Sequence, residues 1–234
     1  MFFLYEIELL KLNNLIMNYL RGILCLSILF SGSEIIAQDS TGLTGIPYQE
    51  TADGGNSYLF KEWYSGSVRM QDDKVYDGVQ LRYDIKKDEI EFKKDSALYR
   101  ISNGVQEFTI PSGTDLYIFR SGFPAGQGQT AKSFYRVMYD GNTKLLKKYI
   151  SPIRVEKASA TKEMDPDAKL YVVKDNKLSA VKLSDKNSFL KLLPDEKNKM
   201  LYIIKEQQLD FGAEDDLVSL LSEYDSYKAG RGGN

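Results

Sequence analysis

Histidine does not occur in this chain, and cysteine occurs once, at Cys25. The first absence removes Ser-His-Asp and Cys-His nucleophile systems in their usual form, together with the commonest zinc ligands. The second leaves no disulfide framework and no thiolate chemistry outside the N-terminal segment, so stability must come from an ordinary hydrophobic core. A basic surplus is also missing. The 31 Lys and Arg stand against 33 Asp and Glu, and no block of them is dense enough to neutralise phosphates, so nucleic acid is not an expected partner.

Long apolar runs are missing too. From Met17 the chain reads MNYLRGILCLSILFSGSEIIAQDS. Arg21 supplies a short positive region, residues 23–30 an apolar core, and Ile35-Ile36-Ala37 a cleavage site before Gln38. That is the layout of a secretory signal peptide. The apolar core is about half the roughly 20 residues that a spanning helix needs. Glu6 and Glu8 do not suit an export signal, so the reading starts the protein at Met17. Cys25 lies inside the apolar core rather than after it behind a small residue, which argues against lipidation. The sequence therefore predicts residues 1–37 as a signal peptide and an exported mature chain, periplasmic, outer-membrane-associated or secreted.

What is present is core-forming material: sixteen Tyr, eleven Phe and one Trp in a chain of 234 residues, a globular composition. Residues 38–57 are rich in Gly, Thr, Ser and Asp and read as an extended or mobile leader. Residues 58–155 carry short alternating segments. In residues 79–86, Val79, Leu81, Tyr83 and Ile85 alternate with Gln80, Arg82, Asp84 and Lys86, which predicts a strand with one wet face. A turn at Lys87-Asp88 leads into a second alternating run at 89–93, and Gln71-Asp72-Asp73-Lys74 forms another turn. Further strands are expected at 98–101, 105–110, 116–120 and 134–139. Tyr76-Asp77-Gly78 and Tyr139-Asp140-Gly141 form a weak repeat that reads as a recurring hairpin corner.

Residues 151–169, with Pro152, Pro166 and several charges, read as a connector into the second part of the chain, residues 156–234, where a hairpin at 170–183 turns around Asp175-Asn176. The period then changes to that of helices. Ser184 or Asp185 caps a short helix, Pro194 opens a second, and Glu214-Asp215-Asp216 begin a third that carries Leu217, Leu220, Leu221 and Tyr224 on one face. The expected fold is α+β: an antiparallel β meander or sandwich-like sheet followed by two to three C-terminal helices.

Three motifs look chemical. Gly126 to Ser133 differs from the phosphate-cradling G-x-x-x-x-G-K-[ST] loop by Ala131. That loop needs a helix after it, and residues 134–139 alternate as a strand. The acidic groups at Asp72-Asp73, Asp88-Glu89 and Glu214-Asp215-Asp216 lack calcium-loop spacing and read as two turns and a helix start, so no metal or cofactor is expected. Tyr83, Tyr99, Tyr117 and Tyr135 fall on strands and are the candidate ligand-binding residues, as a stacking platform or one rim of an apolar groove. The predicted strands are shorter than the roughly 9–11 residues of a membrane-barrel span, and no barrel is expected.

The run Val79-Gln80-Leu81-Arg82-Tyr83-Asp84 after Tyr-Asp-Gly resembles a pattern in uncharacterised exported β-rich proteins of Gram-negative bacteria. Phe189-Leu190-Lys191-Leu192-Leu193-Pro194-Asp195, running into a Leu-Asp-Phe and Glu-Asp-Asp-Leu segment, does so too. The resemblance implies export and fold and carries no activity. The sequence reading is thus a non-enzymatic binding or interaction module of the bacterial envelope, with an envelope protein as partner rather than a small molecule. The alternatives are a carrier of a hydrophobic or carbohydrate ligand and a carboxylate-dependent hydrolase.

Overall fold

A computed structural model describes residues 38–39, 42–50, 57–101, 103–150 and 167–231. The expected signal peptide 1–37, residues 151–166 of the expected connector and the last three residues lie outside the described residues. Within them, one sheet takes up twelve strands: β1 (Gln38–Asp39), β2 (Ile46–Tyr48), β3 (Tyr64–Met70), β4 (Val75–Asp84), β5 (Glu89–Lys94), β6 (Ala97–Ile101), β7 (Val105–Ser112), β8 (Asp115–Arg120), β9 (Tyr135–Asp140), β10 (Lys144–Tyr149), β11 (Ala168–Lys174) and β12 (Lys177–Val181). Eleven of them run in the order β12-β11-β10-β9-β8-β7-β3-β4-β5-β6-β2, every neighbour antiparallel. β1 joins the first half of β4 in parallel, beside Tyr76 and Asp77. The meander expected from the alternation is present, and the sheet is continuous.

The connectivity forces the sheet to fold over. β6 lies between β5 and β2, and β7 between β3 and β8, yet only three residues separate Ile101 from Val105. The end of β6 must therefore meet the start of β7. The aromatic core records this: the Tyr83 ring on β4 lies 5.2 Å from Phe108 on β7 and 5.1 Å from Phe119 on β8, across the intervening β3. Phe108 and Phe119 stack at 4.8 Å. With Val68, Leu81, Ile90 and Ile110 they form a core sealed almost wholly by strands. Each such side chain, fully buried, contributes about 1.5–3 kcal/mol.

β9 to β12 are covered on both faces. Leu145 and Leu146 are adjacent and both fully buried. Leu145 packs under the helices, and Leu146 packs with Phe123, Tyr135, Tyr171, Val173 and Leu178 on the other side. Three α-helices make the first cover: α1 (Lys186–Leu190), α2 (Lys197–Glu206) and α3 (Glu214–Arg231), with a 3₁₀ turn at Pro194–Glu196 leading into α2. Asp185 is the cap of α1, accepting from the Asn187 and Ser188 amides. Leu217, Leu220, Leu221 and Tyr224 of α3 are all buried, as their spacing predicts. Asp225 accepts from the Thr143 amide and hydroxyl and the Tyr139 hydroxyl, which pins α3 to the β9–β10 turn. None of the described helices is long and apolar enough to cross a membrane.

Two local expectations change. Asp77-Gly78 is not a hairpin corner. Gly78 sits inside β4 at φ +68°, where β3 pairs Gly66 with Val79 and then Val68 with Tyr76. Two residues there oppose one, so the Gly serves a bulge that bends the strand. Gly141 does lie in the β9–β10 turn, so the two Tyr-Asp-Gly copies do different work. The polar side of β4 is wet only in part: Gln80 is exposed, but Arg82 is 5% exposed and Asp84 fully buried.

Candidate functional site

The β4–β5 turn depends on two carboxylates. Asp84 accepts from the Lys86 and Lys87 amides, an arrangement that lets a short polar side chain close a turn on its own backbone. Asp88 takes up the left-handed conformation, φ 58°, and its side chain points back across the fold. It accepts a hydrogen bond from the Tyr83 hydroxyl on β4 and from the Phe134 amide just before β9. It also pairs with the Lys148 ammonium on β10 at 2.6 Å. Lys148 donates further to the Phe134 carbonyl at 3.0 Å and to the Tyr83 oxygen at 3.2 Å. Its three N–H groups are thereby matched by three acceptors. Burial pulls the Lys148 pKa below its ordinary value against the pull of Asp88, and burial plus the nearby Asp88 charge push Tyr83 well up. Asp88 and Phe134 also line an open polar cleft of about 580 Å³, with Gln71, Asn103, Ser121 and Lys132 among its other walls.

A second cluster lies on the other face of the same strands. Cross-strand pairing sets Arg82 opposite Glu91 and Glu91 opposite Arg100. The Arg82 guanidinium meets Glu91 at 3.0 Å, and Arg100 Nε lies 3.5 Å from the other Glu91 oxygen. Glu91 is fully buried. Arg82 is held between the Tyr58 ring at 3.5 Å and the Trp63 ring at 4.3 Å, and Lys93 reaches the same indole. The lid over this ladder is the segment 42–50. Its β2 pairs with the edge of β6. The Tyr48 ring covers Arg100 at 4.3 Å and its hydroxyl donates to Glu91. Glu50 reaches Arg82 at 2.9 Å. Burial would lower the Arg82 pKa, but bonds to Glu91, Glu50 and Tyr48 together raise it, and burial near Glu91 pushes Tyr58 up to about 12. Arg82 Nε, Arg100 Nε and Glu91 Oε1 make no hydrogen bond within the described residues.

The four candidate tyrosines do not share one surface. Tyr83, Tyr117 and Tyr135 are 2%, 3% and 1% exposed. Tyr83 and Tyr135 both lie near the Lys148 ammonium, 6.0 and 5.7 Å from it by ring centroid. Tyr117 packs edge-on against Phe60 under the Arg136 guanidinium. Tyr99, partly exposed, stacks on Phe92 at 5.1 Å. The Tyr135 hydroxyl finds no hydrogen-bond partner among the described residues. The loop with the phosphate-binding look runs between β8 and β9, with a strand after it and no helix to present amides. A shallow groove of about 750 Å³ by α2 holds Lys199 between Tyr202 and Tyr227.

Sequence reasoning missed Arg82, Glu91, Arg100, Tyr48 and Lys148. The alternation of β4 and β5 marks Arg82 and Glu91 as one face, but it carries no information about a cover. The comparisons add no relative: the chain matches no family model, no curated protein and no solved structure.

Proposed function

We propose that this chain is an exported, non-catalytic binding module of the bacterial envelope that recognises another protein. The observation that carries the reading is the way segment 42–50 is held. A three-residue edge strand, with Ile46 59% exposed, pairs with β6 while Leu43 enters the core and Tyr48 and Glu50 reach a buried charge ladder, so the β6 edge suits an extended chain. Sheet edges are natural acceptors of that kind. The charged cluster at Asp88 favours structure over catalysis, because every donor of Lys148 is already used by the fold. A carrier role would need room between sheet and helices. That space is filled by Leu145, Leu193, Met200, Leu220 and Leu221, all fully buried.

Native mass spectrometry of protein released gently from the envelope of its host tests the reading. The expected spectrum shows a chain beginning near Gln38, part of it bound to a second protein. A chain retaining a lipid or glycan and no protein would replace this reading with that of a carrier.

A further inference from the structure

We infer that the groove formed by the β6 edge and the Arg82–Glu91–Arg100 ladder is a peptide-acceptor site, occupied in cis by segment 42–50 and open to an extended segment of a partner protein with the same pattern. The inference rests on the binding-module reading and names its partner chemistry.

The register of β2 defines the pattern. Pairing with β6 puts Gly45 and Pro47 on the side of Phe92 and Tyr99, and Ile46 and Tyr48 on the ladder side. Leu43, ahead of the strand, is 2% exposed within the strand core. Gly45 passes so close that a Cβ there would meet the Arg100 carbonyl at 2.6 Å and the Phe92 ring at 2.8 Å. A side chain is therefore excluded at that point. Two positions on, Pro47 lacks an N–H and suits only an outer strand. Tyr48 then spans Arg100 to reach Glu91, and Glu50 reaches Arg82 on the third strand in. The groove thus reads Leu-x-Gly-x-x-Tyr-x-Glu: an apolar anchor, a small residue, a hydroxylated aromatic and a carboxylate.

Charge favours the carboxylate over a neutral or basic group. With segment 42–50 removed, Arg82 and Arg100 share the one carboxylate of Glu91, beside the Tyr58 and Trp63 rings that hold Arg82. A face with that surplus attracts an acidic chain and rejects a basic one. The cis segment is held by fewer groups than the strands beneath it: three paired residues, Leu43 in the core, Tyr48 on Arg100 and Glu91, and a half-exposed glutamate. Its advantage is tethering, which gives it a high effective concentration at the groove. A partner segment competes once that advantage is offset by contacts of its own.

The test uses the full chain and a fluorescent peptide of residues 42–50, GLTGIPYQE. The variant Tyr48→Phe/Glu50→Ala weakens the cis segment while leaving the groove intact, and Glu50→Gln alone is the milder second variant. The peptide is expected to bind the double variant about ten- to a hundredfold tighter than the unaltered chain, as loss of a hydrogen bond to a charged group and of an ion pair implies. A peptide carrying Lys in place of the glutamate is expected not to bind. Equal affinity for all three proteins, or equal binding of the Lys peptide, would overturn the acceptor site. A dimer of the double variant that the peptide dissolves would place a second copy in the groove and overturn the choice of a different protein. Cross-linking in the envelope separates the two levels. A partner linked far from β6 would overturn this site and leave the binding-module reading standing, whereas a chain that captures no protein would overturn both.

Discussion

The two buried charge clusters, one on each face of β4 and β5, are closed in different ways. At Asp88, every group that closes the cluster belongs to the folded sheet: Tyr83 on β4, Phe134 before β9 and Lys148 on β10. The three ammonium donors have three acceptors. At Glu91, the counter-charges come from neighbouring strands, but the cover comes from the short segment 42–50, and three polar atoms beneath it make no hydrogen bond among the described residues. Buried charge costs several kcal/mol of desolvation unless it is paired and bonded. The inner cluster, at Asp88, meets that condition through β4, β10 and the residue before β9, whereas the outer one, the Glu91 ladder, is paired by its own strands and shielded by the segment laid across it. That contrast separates a structural clamp from a site.

The largest effect that tests the contrast is alkaline unfolding. Burial raises Tyr83 in the inner cluster, and burial with the Glu91 charge pushes Tyr58 in the outer one up to about 12. Tyr224 is likewise pushed up to about 12 by burial and its bond to Asp195. Folded values above the unfolded value of about 10 mean that this stability is fully present below pH 10 and lost as pH rises through about 12. Lys148 acts in the opposite sense, since its depressed value adds stability as pH rises toward about 10.4. Tyrosinate absorbance should therefore rise in two stages, the second coinciding with loss of the far-ultraviolet dichroism. One smooth titration centred near pH 10 with the fold intact would contradict the burial of these rings.

Next come the charge deletions. Asp88→Ala strands the Lys148 ammonium and is expected to cost about 3–5 kcal/mol in urea unfolding, and Glu91→Ala, which leaves two arginines facing each other, should cost about as much. The clusters then part company. Asp88→Asn combined with Lys148→Met should recover most of the loss, because no partner is left charged. Failure of that rescue would mean that Lys148 has a role beyond closing the clamp. Asp225→Ala, which orphans the buried Thr143 amide, is expected to cost about 1–3 kcal/mol. The smallest effect belongs to the cover. Glu50→Ala should cost under about 1 kcal/mol, since Glu50 is half exposed, yet shift the emission of Trp63, the single tryptophan, which shares Arg82 with it. An unchanged spectrum would show that the cover does not touch the ladder in solution.

The division between what was legible and what was not follows the range of the physics involved. Period-two alternation located β4 and β5, the Asp175-Asn176 turn located the hairpin of β11 and β12, and the i, i+3, i+4, i+7 spacing located the buried face of α3, because all are local signals. Alternation also led to the expectation that Arg82 and Asp84 would be wet. Whether a polar face stays wet depends on what crosses it, and β2, with glycine before it and proline inside it, has no strand signature of its own. Asp-Gly at 77–78 misled for a related reason: a positive φ is needed equally by a hairpin corner and by a bulge. The partnership of Asp88 with Lys148, sixty residues apart, depends on the fold-over between β6 and β7, which only the strand order reveals.

The central claim is that the cover of the outer cluster comes off while the inner cluster stays closed. Hydrogen–deuterium exchange on the unaltered chain measures this directly. Amides of β2 and those of β6 that pair with it should exchange at least about tenfold faster than amides of β4 and β5 beneath Tyr83 and Glu91, through opening of the edge alone. Added peptide 42–50 should protect the β6 amides and release those of β2. Exchange of β2 at the same rate as β4 and β5, unaffected by peptide, would show the cover to be a fixed part of the sheet and would contradict the claim.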